Sequence, residues 1–219
     1  YDDILNAVES GRITEERIDE SIKRIARMKA RFALTQKPST KGLRTTDSIE
    51  IMEDAARRGI ILAKDESNLL PLDTMNKQIA LIEFGSYLET IAIEDGNATG
   101  FAMLLHAHLP NVPALALTGD PSNEMREHAR EIAANADIVL LATRSANVIP
   151  AQAELAQDII NHANDVILLP LRNAYDADIF DGVGTILCTC SDSAPSLRAA
   201  IAALLGHFIP SGKLPVNLA

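Results

Sequence analysis

The densest group of chemically capable side chains is Leu171-Arg-Asn-Ala-Tyr-Asp176, where Arg172, Asn173, Tyr175 and Asp176 bring a guanidinium, an amide, a phenol and a carboxylate together. Such a set can bind the hydroxyls of a sugar. It can equally tie two loops or a domain interface together, and the structural reading is the one placed first. The stretch follows an apolar run, residues 166–171, that reads as a strand, so these groups belong to a loop at a strand's carboxyl end. In open α/β sheets, ligands collect at that edge. Two further loops of the same kind carry Arg144, Ser145 and Asn147 after the run 137–142, and Ser191, Asp192 and Ser193 after the run 184–189.

The remaining motifs exclude more than they propose. The 5 histidines are scattered with no His-Glu-x-x-His or comparable metal spacing, which points to solvated or capping roles and to no metal or cofactor. Cys188 and Cys190 lie in a strand-like apolar run, and both are expected to be core residues. Gly182-Val-Gly184 precedes a strand instead of opening a helix, so it is no dinucleotide fingerprint, and there is no Gly-x-Ser-x-Gly nucleophile elbow. Gly119-Asp-Pro-Ser122 reads as a helix cap more than as an anion site, with Asp120 at the cap and Pro121 in the first turn. Asp176, Asp178 and Asp181 read as a local acidic patch. A formal charge of −10 disfavours a nucleic-acid or anionic-membrane partner. No apolar run reaches the roughly 18 residues of a membrane span.

Apolar periodicity supplies the elements that hold these loops. Ile4, Leu5 and Val8 form a helical stripe that stops at Gly11. Thr14, with Glu15 and Glu16 behind it, caps a second helix whose stripe is Ile18, Ile22, Ile25, Met28 and Phe32; a stripe of this kind must be buried against something. Residues 35–46 read as a linker, after which Asp47 and Glu50 resemble a capping box opening a helix to about Arg58. Strands are expected at 60–64, 78–84, 114–118, 137–142, 166–171 and 184–189, and helices at 98–109, 121–135, 151–163 and 194–205. Runs such as Ile138-Val-Leu-Leu141 are apolar on both strand faces, as in a parallel sheet buried between helices. Short loops and right-handed crossovers then lead to an α/β fold, a three-layer α/β/α sandwich on a mostly parallel sheet of about six strands.

Three stretches carry a resemblance. Arg58-Gly-Ile-Ile-Leu-Ala-Lys-Asp-Glu-Ser-Asn-Leu-Leu-Pro-Leu72 is similar to the entry of the second domain of family 3 glycoside hydrolases, with its "G-I-V-L-L-K-N" strand and "L-L-P-L". Residues 12–34 resemble the closing helix of that family's catalytic barrel, and Pro210-Ser-Gly-Lys-Leu-Pro-Val216 resembles the end of its second domain. The 171–176 loop resembles the "R-N-P-Y-D" loop of the N-acetylglucosaminidase branch, with Ala174 in place of proline and therefore a less rigid turn.

The resemblance implies that residues 1–34 are the terminal helices of a (β/α)8 barrel and that 47–219 are the second domain beyond the 35–46 linker. Glycoside hydrolysis ordinarily needs two flanking carboxylates. In this family the nucleophilic aspartate lies on the barrel, and in the N-acetylglucosaminidase branch the acid/base is a histidine in a stretch like "K-H-F-P-G-x-G". Neither stretch occurs here, and a barrel takes about 250 residues. The expectation is a second domain that is inactive alone and packs beside the barrel to shape the sugar cleft. Its parent would be a retaining, exo-acting enzyme removing β-linked N-acetylglucosamine, and no signal peptide can be read from a chain that begins inside a barrel. Self-association through the barrel-facing surface is expected, with the barrel and an amino sugar as partners. The alternatives are a stand-alone carbohydrate or small-anion module, a purely structural domain, and a β-glucosidase-type domain supplying an acid/base from Glu83, Glu89, Glu94, Glu124, Glu127, Glu131 or Glu154.

Overall fold

A computed structural model describes residues 1–32, 45–85 and 100–214. Expectations for most of the 35–46 linker, the start of the 98–109 helix, Glu89, Glu94 and the last residues of the tail lie outside them. The chain forms two compact units, Tyr1–Thr45 and Thr46–Ala219.

The first unit holds α1 (Asp2–Glu9) and α2 (Glu15–Arg31). Thr14 caps α2, its hydroxyl accepting the Arg17 amide at 3.3 Å, so one of the amides left open at a helix start is satisfied. The expected α2 stripe is not buried: Ile22, Ile25, Met28 and Phe32 are each more than half exposed.

The second unit is the expected α/β sandwich. Its elements are α3 (Thr46–Arg58), β1 (Ile61–Asp65), β2 (Ile79–Phe84), α4 (Phe101–His106), β3 (Ala114–Leu117), α5 (Asn123–Ala134), β4 (Ile138–Thr143), α6 (Pro150–His162), β5 (Asp165–Pro170), β6 (Thr185–Cys188) and α7 (Ala194–Leu204). The sheet order is β1-β6-β5-β4-β2-β3, parallel except for β1, which runs antiparallel to β6 with a bulge between Leu62 and Lys64. Alternate residues of each central strand feed opposite cores, which is why the strands read as unbroken apolar runs. Ile82, Val139, Leu141 and Leu168 meet Ala129 of α5 and Leu155 and Ile159 of α6. Leu81, Leu140, Ile167 and Leu187 meet Phe101 and Leu105 of α4 and Leu197, Ile201 and Leu204 of α7. Arg198 of α7 pairs with Glu53, tying α3 over that face.

The stretches that flank β1 explain their own composition. Asp65 closes the polar turn, its Oδ1 accepting the Leu69 amide at 3.1 Å and the Thr185 hydroxyl at 2.8 Å. The Leu-Leu-Pro-Leu plug docks on the end of α7, where Leu72 N donates to Leu204 O. Gly206 there has φ +76°, and a Cβ on it would sit 2.7 Å from Pro71. In the tail, Gly212 N donates to Ile60 O, and a Cβ at Gly212 would sit 2.6 Å from that oxygen.

Three local expectations need correction. Helix α3 begins at Thr46, so Asp47 lies in its first turn and is not the residue before it. The cap of α5 is Ser122, whose hydroxyl accepts the Met125 amide at 3.3 Å, while Asp120 pairs with Arg126. Only Cys188 is a core residue: β6 ends there, and Cys190 takes φ +53° in the turn beyond it and is exposed.

Candidate functional site at the carboxyl edge of the sheet

From β2 the chain crosses through α4 to β3 on one side, whereas from β4 it crosses through α6 to β5 on the other. The direction of winding therefore reverses between β2 and β4, and the carboxyl ends of these two strands form the crevice where such sheets take ligands.

That crevice is filled from within. Arg144, one residue past β4, donates from Nη2 to Glu83 Oε1 at 2.8 Å and from Nη1 to the Phe84 carbonyl, with both side chains buried. Its Nε lies 3.5 Å from Asp192 Oδ2 in the loop before α7. Its backbone amide donates to Gln152 Oε1 on α6 at 2.8 Å. Glu83 is equally committed, since Oε1 and Oε2 accept the amides of Phe101 and Ala102, each at 2.9 Å, at the start of α4. A buried ion pair is tolerable when further hydrogen bonds support it, and here both Glu83 oxygens and both Arg144 terminal nitrogens have partners. Two buried atoms close by, Thr143 Oγ1 and Gln152 Nε2, have no hydrogen-bond partner among the described residues.

The 171–176 loop stands beside this crevice and divides into two kinds of residue. Asp176 is fully buried. Its Oδ2 accepts the Ala146 amide and its Oδ1 the Asn147 amide, both at 3.0 Å, clamping the short 3-10 turn Ala174–Ala177 to the turn Ala146–Val148. Ser145, at φ +62°, redirects the backbone into that clamp. Asn173 Oδ1 accepts the Tyr175 amide at 2.9 Å and shapes the loop locally. Tyr175 is 51 % exposed, and Arg172, half-buried, makes no hydrogen bond or ion pair among the described residues. So Arg172 and Tyr175 are on the open rim, and Asp176 is spent on backbone amides. The third loop is tied by Thr189, whose hydroxyl donates to Leu171 O at 2.6 Å.

Of the glutamates weighed as acid/base, Glu83 is at this edge with its carboxylate enclosed, while Glu124, Glu127, Glu131 and Glu154 are exposed. Glu124, Glu127 and Glu131 lie on α5 and Glu154 on α6. Among the described residues no cluster of His, Cys, Asp or Glu could hold a metal ion.

The sequence pattern described as the glycosyl hydrolase family 3 C-terminal domain matches residues 60–219. The chain belongs to this family. No curated protein matches the chain in sequence. Among solved structures, the family 3 domain is similar to a family 3 β-N-acetylglucosaminidase from Paenibacillus sp. str. FPU-7, with TM-score 0.76 and 26 % identity over 99 % of this chain and 42 % of that one. A fungal multi-domain family 3 β-N-acetylglucosaminidase shares the fold at TM-score 0.71 and 19 % identity, over 98 % of this chain and 25 % of that one. A β-glucosidase from Listeria innocua, in complex with isofagomine, shares it at TM-score 0.64 and 19 % identity, over 96 % and 34 %. The family 3 domain and the helices before it thus span less than half the length of each of these enzymes.

Proposed function

We propose that this chain serves a family 3 glycosidase acting on β-linked N-acetylglucosamine, as the part that shapes the sugar cleft beside a catalytic barrel and does no chemistry alone. In this reading residues 1–34 are the last helices of that barrel, 35–46 the linker and 47–219 the second domain. The observation that carries it is how the strongest ionisable groups at the carboxyl edge are used. Glu83, Arg144 and Asp176 are all buried and consumed in holding loops. A retaining glycosidase ordinarily needs a free carboxylate as nucleophile beside the scissile bond, and neither Glu83 nor Asp176 is free to serve as one. Arg172 and Tyr175 are left on the rim to meet a sugar or a neighbouring domain. The likeness to the Paenibacillus enzyme supports the amino-sugar assignment, as does the sequence of the 171–176 loop.

The test is turnover of a chromogenic β-N-acetylglucosaminide by the chain alone and then with a separately produced barrel half. The expected result is no turnover alone and turnover on mixing. Turnover by the chain alone would overturn the reading.

A further inference from the structure

Two buried polar side chains face the core that the sheet shares with α5 and α6. Thr143 ends β4 two residues after Leu141, so its side chain points to the same core as that leucine. On α6 the inward stripe is Gln152, Leu155, Ala156 and Ile159, the spacing that keeps one helix face turned inward. Gln152 thus holds a place that the pattern gives to an apolar residue. Both residues are wholly buried, at 0 % exposure.

Each is half satisfied. Gln152 Oε1 accepts the Arg144 amide at 2.8 Å, and this bond fixes which way the carboxamide is turned. Reversed, it would set its NH2 group against an N–H donor. The Thr143 carbonyl accepts the Leu171 amide at 3.0 Å. What remains is Gln152 Nε2, a donor, and Thr143 Oγ1, which can donate and accept. Neither has a partner among the described residues, and they do not bond to each other. Both stand beside one backbone amide, since Arg144 N follows Thr143 in the chain and is gripped by the Gln152 side chain. A buried polar atom without a partner forfeits the hydrogen bond it had in solvent. Native proteins meet such groups with enclosed water, about one molecule per 27 residues. Full enclosure selects the smallest ligand that both accepts and donates.

We propose that this corner is a binding site for a single internal water, which accepts a hydrogen bond from Gln152 Nε2 and exchanges one with the Thr143 hydroxyl. The water joins the end of β4 to the first turn of α6. Between those two points the chain makes the Ala146–Val148 turn that Asp176 grips, so the water completes the footing of the 171–176 loop. The site lies wholly within the second unit and does not rest on the glycosidase reading.

Two measurements on the 219-residue chain test it. A crystal structure at better than about 2 Å should show one ordered water at hydrogen-bond distance, about 2.6–3.2 Å, from both atoms. Thr143→Val, which keeps the side-chain shape and removes the hydroxyl, should lower Tm by about 2–6 °C. If the hydroxyl had no partner, the same change would leave Tm unchanged or raise it, because valine removes an unsatisfied polar atom and suits a strand better. The proposal is overturned by an unchanged or raised Tm, by the absence of water density between the two atoms, or by a direct bond from Gln152 Nε2 to Thr143 Oγ1.

Discussion

A carboxylate can serve chemistry or architecture, and the environment of Asp176 decides for architecture. Two buried or half-buried amides point at its two oxygens, and charge-assisted bonds of this kind are the strong ones. Asp176→Ala would leave both amides without an acceptor, at a cost of about 3 kcal/mol. Urea denaturation checks this, and a loss under about 1 kcal/mol would show that the clamp carries little. The cysteines separate just as sharply. Burial pushes the Cys188 thiol up to about 12, with the neighbouring Cys190 and Asp176 adding to it, whereas Cys190 is raised by burial alone. Iodoacetamide at mildly alkaline pH should therefore label Cys190 and spare Cys188 until the protein unfolds, read by peptide mass spectrometry. The linked stability has a definite sign. Cys188 ionises more readily unfolded than folded, so its contribution is intact below the ordinary value of 9.0 and is lost as pH rises toward 12. That loss is at most ~4 kcal/mol, and Cys188→Ala should flatten this part of the stability profile.

At the scale of elements, the buried pair Glu83–Arg144 joins the ends of β2 and β4, the start of α4, α6 through the Arg144 amide and the loop before α7. Removing one partner strands the other's charge, so Arg144→Met alone should cost about 3–5 kcal/mol. With Glu83→Gln the loss should be less than additive, and a double-mutant cycle should return a coupling of ~2 kcal/mol. Strict additivity would mean the two charges do not depend on each other. The strands themselves were legible from sequence, because runs such as Ile138–Leu141 and Val166–Leu169 are apolar on both faces and only a doubly covered sheet uses them. Their pairing of charges was not. Glu83 and Arg144 are 61 positions apart, and Asp176 and Ala146 30 apart, so no spacing rule connects them. In the same way, the alternation that would bury both cysteines assumes a strand continuing past Cys188, and the left-handed turn at Cys190 breaks it.

For the whole molecule, the proposed function raises the question of how a domain with a sealed crevice would contribute to glycoside recognition. In that proposal Arg172 and Tyr175 stand where this domain would meet a barrel. In a full-length parent, Arg172→Ala should raise KM or lower kcat severalfold at unchanged thermal stability, as expected of a group that meets substrate or its immediate support. A change confined to thermal stability would assign Arg172 to the interface alone. The resemblance singled out the 171–176 loop, but the sequence could not separate the outward Arg172 and Tyr175 from the inward Asp176, because direction is set by the clamp on the Ala146 turn.

The antiparallel strand β1 sets an order of events. Its hydrogen-bonding neighbour β6 lies far along the chain, with Asp65 reaching Thr185 across 120 positions. A growing polypeptide that has not yet delivered β6 has nothing for β1 to pair with, and closing so long a loop is entropically slow. The stretch Ile60–Leu72, which carries the first strand of the domain, must therefore wait for nearly all of the rest. Until then its row of apolar residues is a surface that a ribosome-bound chain would need shielded.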